Sequence, residues 1–121
     1  QYTLSTAWDL STASYDSVSF SVASQASNPA GITFKPDGTK MYISGITTDK
    51  VYQYTLSTVW DLSTASYDSI FFSTASQDTS PISIVWKSDG TRIYVLGSAT
   101  DTVYQYSTVA SFAGTARISV G

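Results

Sequence analysis

The chain has 121 residues, of which 42% are hydrophobic and 14% aromatic, which is one ordinary domain's worth of folding sequence and lies far from the disordered range. Its net charge is −3 and its six Lys and Arg are scattered singly, so it carries no electrostatic footprint for nucleic acid or anionic lipid. Cys and His are both absent, which excludes disulfides, thiolate or imidazole catalysis and soft-metal sites, and no run approaches the length of a membrane span. Ser and Thr together number 39, a burden in helices but well suited to the exposed face of a sheet.

The organising feature is an internal repeat. Residues 1–52 and 53–104 align without a gap, with 33 of 52 positions identical. A period of this length marks a supersecondary unit that buries its apolar surface only against neighbours. The expected division is a repeat over 1–52, a second over 53–104 and a degenerate terminal part over 105–121. Both ends fall inside the repeat and Gln1 stands where an initiator Met would, so an excised or processed segment is expected.

In chain order, Gln1 to Leu4 and Asp16 to Val22 read as the last two strands of a preceding unit, joined by a loop that carries Trp8-Asp9. The first full unit then has strands expected near 31–35, 40–44, 50–56 and 68–74. Pro36-Asp37-Gly38-Thr39 forms the tight turn between the first two, because Pro presets a negative φ and Gly accepts a positive one. Trp60-Asp61 lies in the loop before the fourth strand. The second unit repeats the pattern near 83–87, 92–96 and 102–107, with Ser88-Asp89-Gly90 as its turn. After Tyr106 the pattern degenerates, although Ala116 to Val120 still alternates like a strand that finishes the last unit. The fold class expected is therefore all-β, built of four-stranded antiparallel sheets with a 52-residue period.

Several strands are apolar on both sides, among them Ile84-Val85-Trp86 and Ile93-Tyr94-Val95-Leu96, so both sheet faces require cover. Ile32, Phe34, Tyr42, Val51, Tyr54 and Phe20, with their partners Ile84, Trp86, Tyr94, Val103, Tyr106 and Phe72, are the core expected to be inaccessible once neighbours are present. The stretch GITFKPDGTKMYISGITTDKVYQYTLS and its counterpart SPISIVWKSDGTRIYVLGSATDTVYQYS resemble the blades of YVTN-type and lactonase-like β-propellers. They share an apolar strand, an Asp-Gly turn, a strand with Tyr at its centre, a Gly-led turn and an Asp-x-Val strand. The insertion TLSTAWDLSTASYDS also resembles tandem propeller repeats of marine phage and bacterial surface proteins. The resemblance covers residues 1–104 and implies propeller blades stacked face to face. Two units do not close a ring of four to eight blades, so copies of the chain, or the remaining blades of a longer one, are the implied partners, in a ring of about six blades.

All nine acidic residues are Asp, and eight form repeat-equivalent pairs: Asp9 with Asp61, Asp16 with Asp68, Asp37 with Asp89, Asp49 with Asp101. A residue present in every copy is explained more simply by turn geometry than by a single active site. Asp78 alone is unpaired, and an isolated acid is a poor general base. The metal-binding Glu and His residues of lactonase-like enzymes have no counterparts here. No Asp-x-Asp-x-Asp cage and no Gly-rich phosphate loop is present, so the expectation is no enzyme, no cofactor and no metal. Trp8, Asp9, Trp60 and Asp61 are the candidate ligand-binding residues, since an exposed indole beside a polar group is the usual hardware for stacking on a sugar face. The bland alternative has each Trp folding back into a gap between units and each Asp capping a local turn. The sequence thus favours a non-catalytic structural or adhesive module of a virion or bacterial surface, extracellular in location. A lectin-like multivalent binder of glycans is the alternative.

Overall fold

A computed structural model describes the backbone of residues 1–110 and 116–120 and the side chains through Ser107. Residues 111–115 and Gly121, within the expected degenerate segment, lie outside the described residues. The chain is all-β and antiparallel. A two-stranded hairpin of β1 (Tyr2–Leu4) and β2 (Ala13–Tyr15) comes first. A four-stranded meander follows: β3 (Pro29–Phe34), β4 (Lys40–Gly45), β5 (Lys50–Leu56) and β6 (Ala65–Ser73). Its repeat is β7 (Pro81–Trp86), β8 (Arg92–Gly97), β9 (Thr102–Ala110) and β10 (Ala116–Val120). The two sheets pack together through β7, which lies against β3 and β4. No closed propeller is formed, and a chain of this length is too short to hold one.

Strands in all seven expected ranges of the two units are present, several of them longer than expected. The expected strand at Asp16–Val22 is not. Its counterpart in β6, from Asp68, pairs with Lys50–Gln53 of β5, and among the described residues no such strand stands beside 16–22 to receive its backbone bonds. The amino terminus supplies a fragment of that pairing, as the Gln1 ammonium donates to the Val18 carbonyl at 2.9 Å and the Asp16 amide to the Gln1 carbonyl at 3.0 Å.

The turns follow from their residues. The Asp37 carboxylate accepts from the Thr39 amide at 2.9 Å and the Thr39 hydroxyl at 2.6 Å, while Gly38 takes φ +76°, where an L side chain is strained. Asp89, Gly90 and Thr91 repeat this with φ +75° at the glycine. Left-handed backbone also recurs at Asp49 and Asp101, at the tips of the β4–β5 and β8–β9 turns. At Ser69 it marks a bulge, where β6 slips register against Gln53 and Tyr54.

Alternation along the strands divides the apolar side chains between two cores. On one face of the first sheet Met41, Ile43, Tyr52, Tyr54 and Leu56 are buried with Ala26, under cover from Phe20 and Val22. Tyr54 packs edge-on against Phe20 and donates its hydroxyl to Gln25 at 3.1 Å; burial pushes this phenol up to about 12. The opposite face, with Tyr42 and Val51, joins Ile84, Ile93, Val95 and Tyr106 of the second sheet. There the geometry recurs: Tyr106 packs edge-on against Phe72 and donates to Gln77 at 3.0 Å. Tyr42 meets Trp86 with ring centroids 4.9 Å apart. Each fully buried apolar side chain of these cores contributes roughly 1.5–3 kcal/mol. At Gly31 the sheets come so close that an added Cβ would lie 3.0 Å from the Ile82 carbonyl oxygen.

Two members of the core expected once neighbours are present stand open in the single chain. Ile32 is 58% exposed and Val103 63% exposed, while their counterparts Ile84 and Val51 are 3% and 5% exposed. Ile84 and Val51 meet each other's sheet across the junction; Ile32 and Val103 occupy the outward faces, where no second sheet stands.

Candidate functional site

The two Trp-Asp pairs sit at the tips of equivalent hairpins, β1–β2 and β5–β6, each followed by one turn of 3-10 helix, Leu10–Thr12 or Leu62–Thr64. The local sequence builds this tip by itself. The Asp9 carboxylate caps the turn, accepting from the Ser11 amide at 3.0 Å and its hydroxyl at 2.6 Å, and Thr12 donates its hydroxyl to the Asp9 carbonyl at 2.8 Å. Asp61 does the same with Ser63 at 3.0 and 2.6 Å and with Thr64 at 2.8 Å. The Ser11 hydroxyl and amide hold the Asp9 carboxyl below the ordinary carboxylate range. Both carboxylates are engaged within their own turns.

The indoles share a left-handed backbone, φ 66° at Trp8 and 60° at Trp60, and differ in what they touch. Trp60 donates its amide to the Gly38 carbonyl at 3.0 Å and lies over Phe34 with centroids 5.4 Å apart. A Cβ at Gly38 would stand 2.5 Å from its ring, so the glycine is both a turn residue and the socket for an indole. Trp60 remains 53% exposed, beside a hollow of about 340 Å³ lined by Gln1, Ile32, Phe34, Leu56 and Leu62. Trp8 is 99% exposed and has no such socket. Gly90 is the reverse case, since among the described residues nothing lies within 4 Å of an added Cβ. The double role of Gly38 was not readable from the turn pattern, because the recurring spacing pairs each Trp with the Asp-Gly turn that follows it, whereas Trp60 seats on the glycine of the turn before it.

The other acids are also held locally. Hydrogen bonds from the Thr39 hydroxyl and amide, with Lys35 at 3.1 Å, bring the Asp37 carboxyl down to about 2. Asp89 is lowered further by Thr91 and by Lys87 at 2.9 Å. Asp68 lies under β4 and β5; burial raises its carboxyl, but Gln53 at 2.9 Å, Thr55 at 2.8 Å and the Lys40 ammonium at 3.5 Å outweigh that and lower it. Asp16, its counterpart, accepts from Gln1 and Thr3, each at 2.9 Å, and meets no cation among the described residues. Asp78, unpaired in the repeat, is buried and ties two segments together. It accepts from the Ser80 amide at 2.6 Å and from the Thr100 hydroxyl and amide at 2.6 and 2.9 Å, with the Thr100 hydroxyl the main reason its carboxyl is lowered.

A second cleft, about 240 Å³, opens between the sheets beside Lys35, Tyr42, Trp86 and Lys87. The Trp86 ring N–H at this junction has no hydrogen-bond partner among the described residues. Among the described residues no three acidic side chains gather as a metal group, and no helix is long and apolar enough to cross a membrane. No family model matches the chain, and neither the curated proteins nor the solved structures yield a match.

Proposed function

We infer that this chain is a stretch of β-propeller blades that serves as a non-catalytic structural or adhesive module of a virion or bacterial cell surface. The observation that carries the reading is the reuse of carboxylates as turn hardware. Asp9 and Asp61 accept from the serine two residues on, and Asp37 and Asp89 from the threonine two residues on, with matching distances in each copy. A general acid or base needs a carboxylate that can reach a substrate proton, and these four are already occupied. Each unit spends its charge on reproducing its own shape. Copies of the chain, or remaining blades of a longer one, cover the outward faces in this reading, because broad apolar faces are rarely left open.

A lectin-like reading is favoured by one observation, the half-exposed Trp60 ring beside a hollow of about 340 Å³. Its lining is mainly apolar, with Gln1 the one amide side chain, whereas sugar recognition needs several polar groups converging on hydroxyls. A glycan array probed with the whole chain and with Trp8→Ala and Trp60→Ala decides between them. No retained glycan is the outcome expected of a structural module; binding that both substitutions abolish would transfer the function to the lectin reading.

A further inference from the structure

The repeat allows every junction to be compared with its own copy, and three half-made contacts emerge. In the first sheet Trp60 of the β5–β6 hairpin covers Gly38, and Asp68 behind it pairs with Lys40 on β4 at 3.5 Å. The β1–β2 hairpin carries the same two groups, Trp8 and Asp16, but Trp8 stands in water and Asp16 meets no cation among the described residues. The second sheet carries the complementary groups. Among the described residues Gly90, which corresponds to Gly38, has nothing over it, and Arg92, which corresponds to Lys40, pairs with no carboxylate; the residue aligned with Asp68 is Val120. The third half-contact is the sheet face itself, with Ile32 exposed on one outward side and Val103 on the other, each the counterpart of a residue buried where the two sheets meet.

All three are completed by one arrangement. We propose that copies of this chain associate head to tail, the Ile32 face of one seating on the Val103 face of the next, with the incoming β1–β2 hairpin completing the last sheet so that Trp8 covers Gly90 and Asp16 meets Arg92. This rests on the reading of the chain as propeller blades and names the partner that covers their faces.

The incoming hairpin keeps its place on its own first sheet, and β7, β8 and the start of β9 of the other copy arrive as the inner strands it lacks. The register follows from the first sheet, where Met41 lies opposite Tyr54 and Lys40 opposite Thr55. Tyr2 thereby comes opposite Ile93 and Thr3 opposite Arg92, places now held by Tyr106 and Ser107. Residue 1 corresponds to residue 105, so the end of β9 and β10 give way to the incoming strands. That exchange replaces a segment without the Trp-Asp and Tyr-Asp pairs by one that has both. The contact is heterologous, so rotation closes it into a ring and residual rise extends it as a filament.

Light scattering of the full chain across a concentration series tests the proposal, using Ile32→Glu, Val103→Glu, Asp16→Arg, Arg92→Asp and the double variant Asp16→Arg/Arg92→Asp. Ile32 and Val103 are exposed in the single chain, so their substitution leaves it folded, which circular dichroism checks. The wild type is expected to grow in mass with concentration from 13.0 kDa. Ile32→Glu and Val103→Glu each weaken self-association at least about a hundredfold, since a carboxylate would be trapped in an apolar junction. Their mixture pairs one to one, because each retains the face the other has lost. Asp16→Arg and Arg92→Asp each weaken association about tenfold, and the double variant restores it by reversing the charge pair. A mass fixed at 13.0 kDa at every concentration would overturn the proposal and give the faces to another occupant. So would a Glu variant that associates like the wild type, a mixture that fails to pair, or a double variant no better than its parents. The glycan-array result is independent of all these outcomes, so failure of this pairing and failure of the non-catalytic reading are told apart.

Discussion

Ile32 and Ile84 are the same residue at the same place in the two sheets, each flanked by a small and a β-branched residue, with an aromatic two residues on and an Asp-Gly turn beyond it. One is 58% exposed and the other 3%. Val103 and Val51 show the same inversion on the opposite faces. Nothing within either strand accounts for the difference; it is made by the sheet that stands in front. Burial in this chain is therefore a property of junctions between units, and the strand sequence records that a junction is intended rather than which one is filled.

The largest effect expected from this comparison is on stability. Ile84→Ala should cost about 2–5 kcal/mol in urea unfolding, and Ile32→Ala under about 0.5 kcal/mol in dilute solution, where the chain is single. Equal costs would break the comparison, because they would mean that the two faces are equally covered. Next comes the pair of turn glycines. Ala at either Gly38 or Gly90 meets a left-handed backbone at a cost of about 1–2 kcal/mol, and at Gly38 it also displaces the Trp60 indole for roughly 1–3 kcal/mol more. Equal destabilisation at the two sites would show that the indole is free to move aside.

The capping carboxylates sharpen the contrast further. Asp61→Ala should lower stability by about 0.5–2 kcal/mol, because its turn holds Leu62 and Trp60 against the sheet. Asp9→Ala frays a hairpin tip that packs on little, and should leave the global transition unchanged while raising amide exchange at Ser11. The smallest expected effect is on pH dependence. Asp68 and Asp78 are both held below the ordinary carboxylate value of 3.8 in the folded chain. The unfolded chain therefore takes up their protons first as pH falls. The stability they add is present above about pH 4 and is lost as pH drops through the folded values. Asp78→Asn should flatten the acid limb of a stability-versus-pH curve, and a wild-type curve already flat in that range would remove these groups from the account.

Much of the architecture was legible because its causes are local. Pro36-Asp37-Gly38-Thr39 and Ser88-Asp89-Gly90 announce turns through φ and side-chain capping, and the alternation in Met41 to Ile43 and Val51 to Tyr54 announces strands with two faces. The Asp-x-Ser cap after each Trp follows from the same short-range rules. The failures were all non-local. Asp16–Val22 has the composition of its β6 counterpart, yet a strand exists only where another strand accepts its hydrogen bonds. Ile32 and Val103 were expected to be buried only with neighbours present, and the single chain leaves their faces uncovered. The seat of Trp60 on Gly38 depends on the tip of the β5–β6 hairpin meeting the β3–β4 turn, and no local pattern encodes which glycine it meets. Asp78 looked isolated because its partner Thr100 is 22 residues away, across a turn.

The three indoles stand near the start, the middle and the latter part of the chain, in graded contact with water. Trp8 is bare, Trp60 lies tilted over Phe34, and Trp86 is packed against Tyr42. The molecule thus carries its own optical reporters. Iodide should quench Trp8 emission readily and spare Trp86, whose spectrum should lie to the blue, so steady-state fluorescence can follow the amino-terminal hairpin and the inter-sheet junction separately without any label.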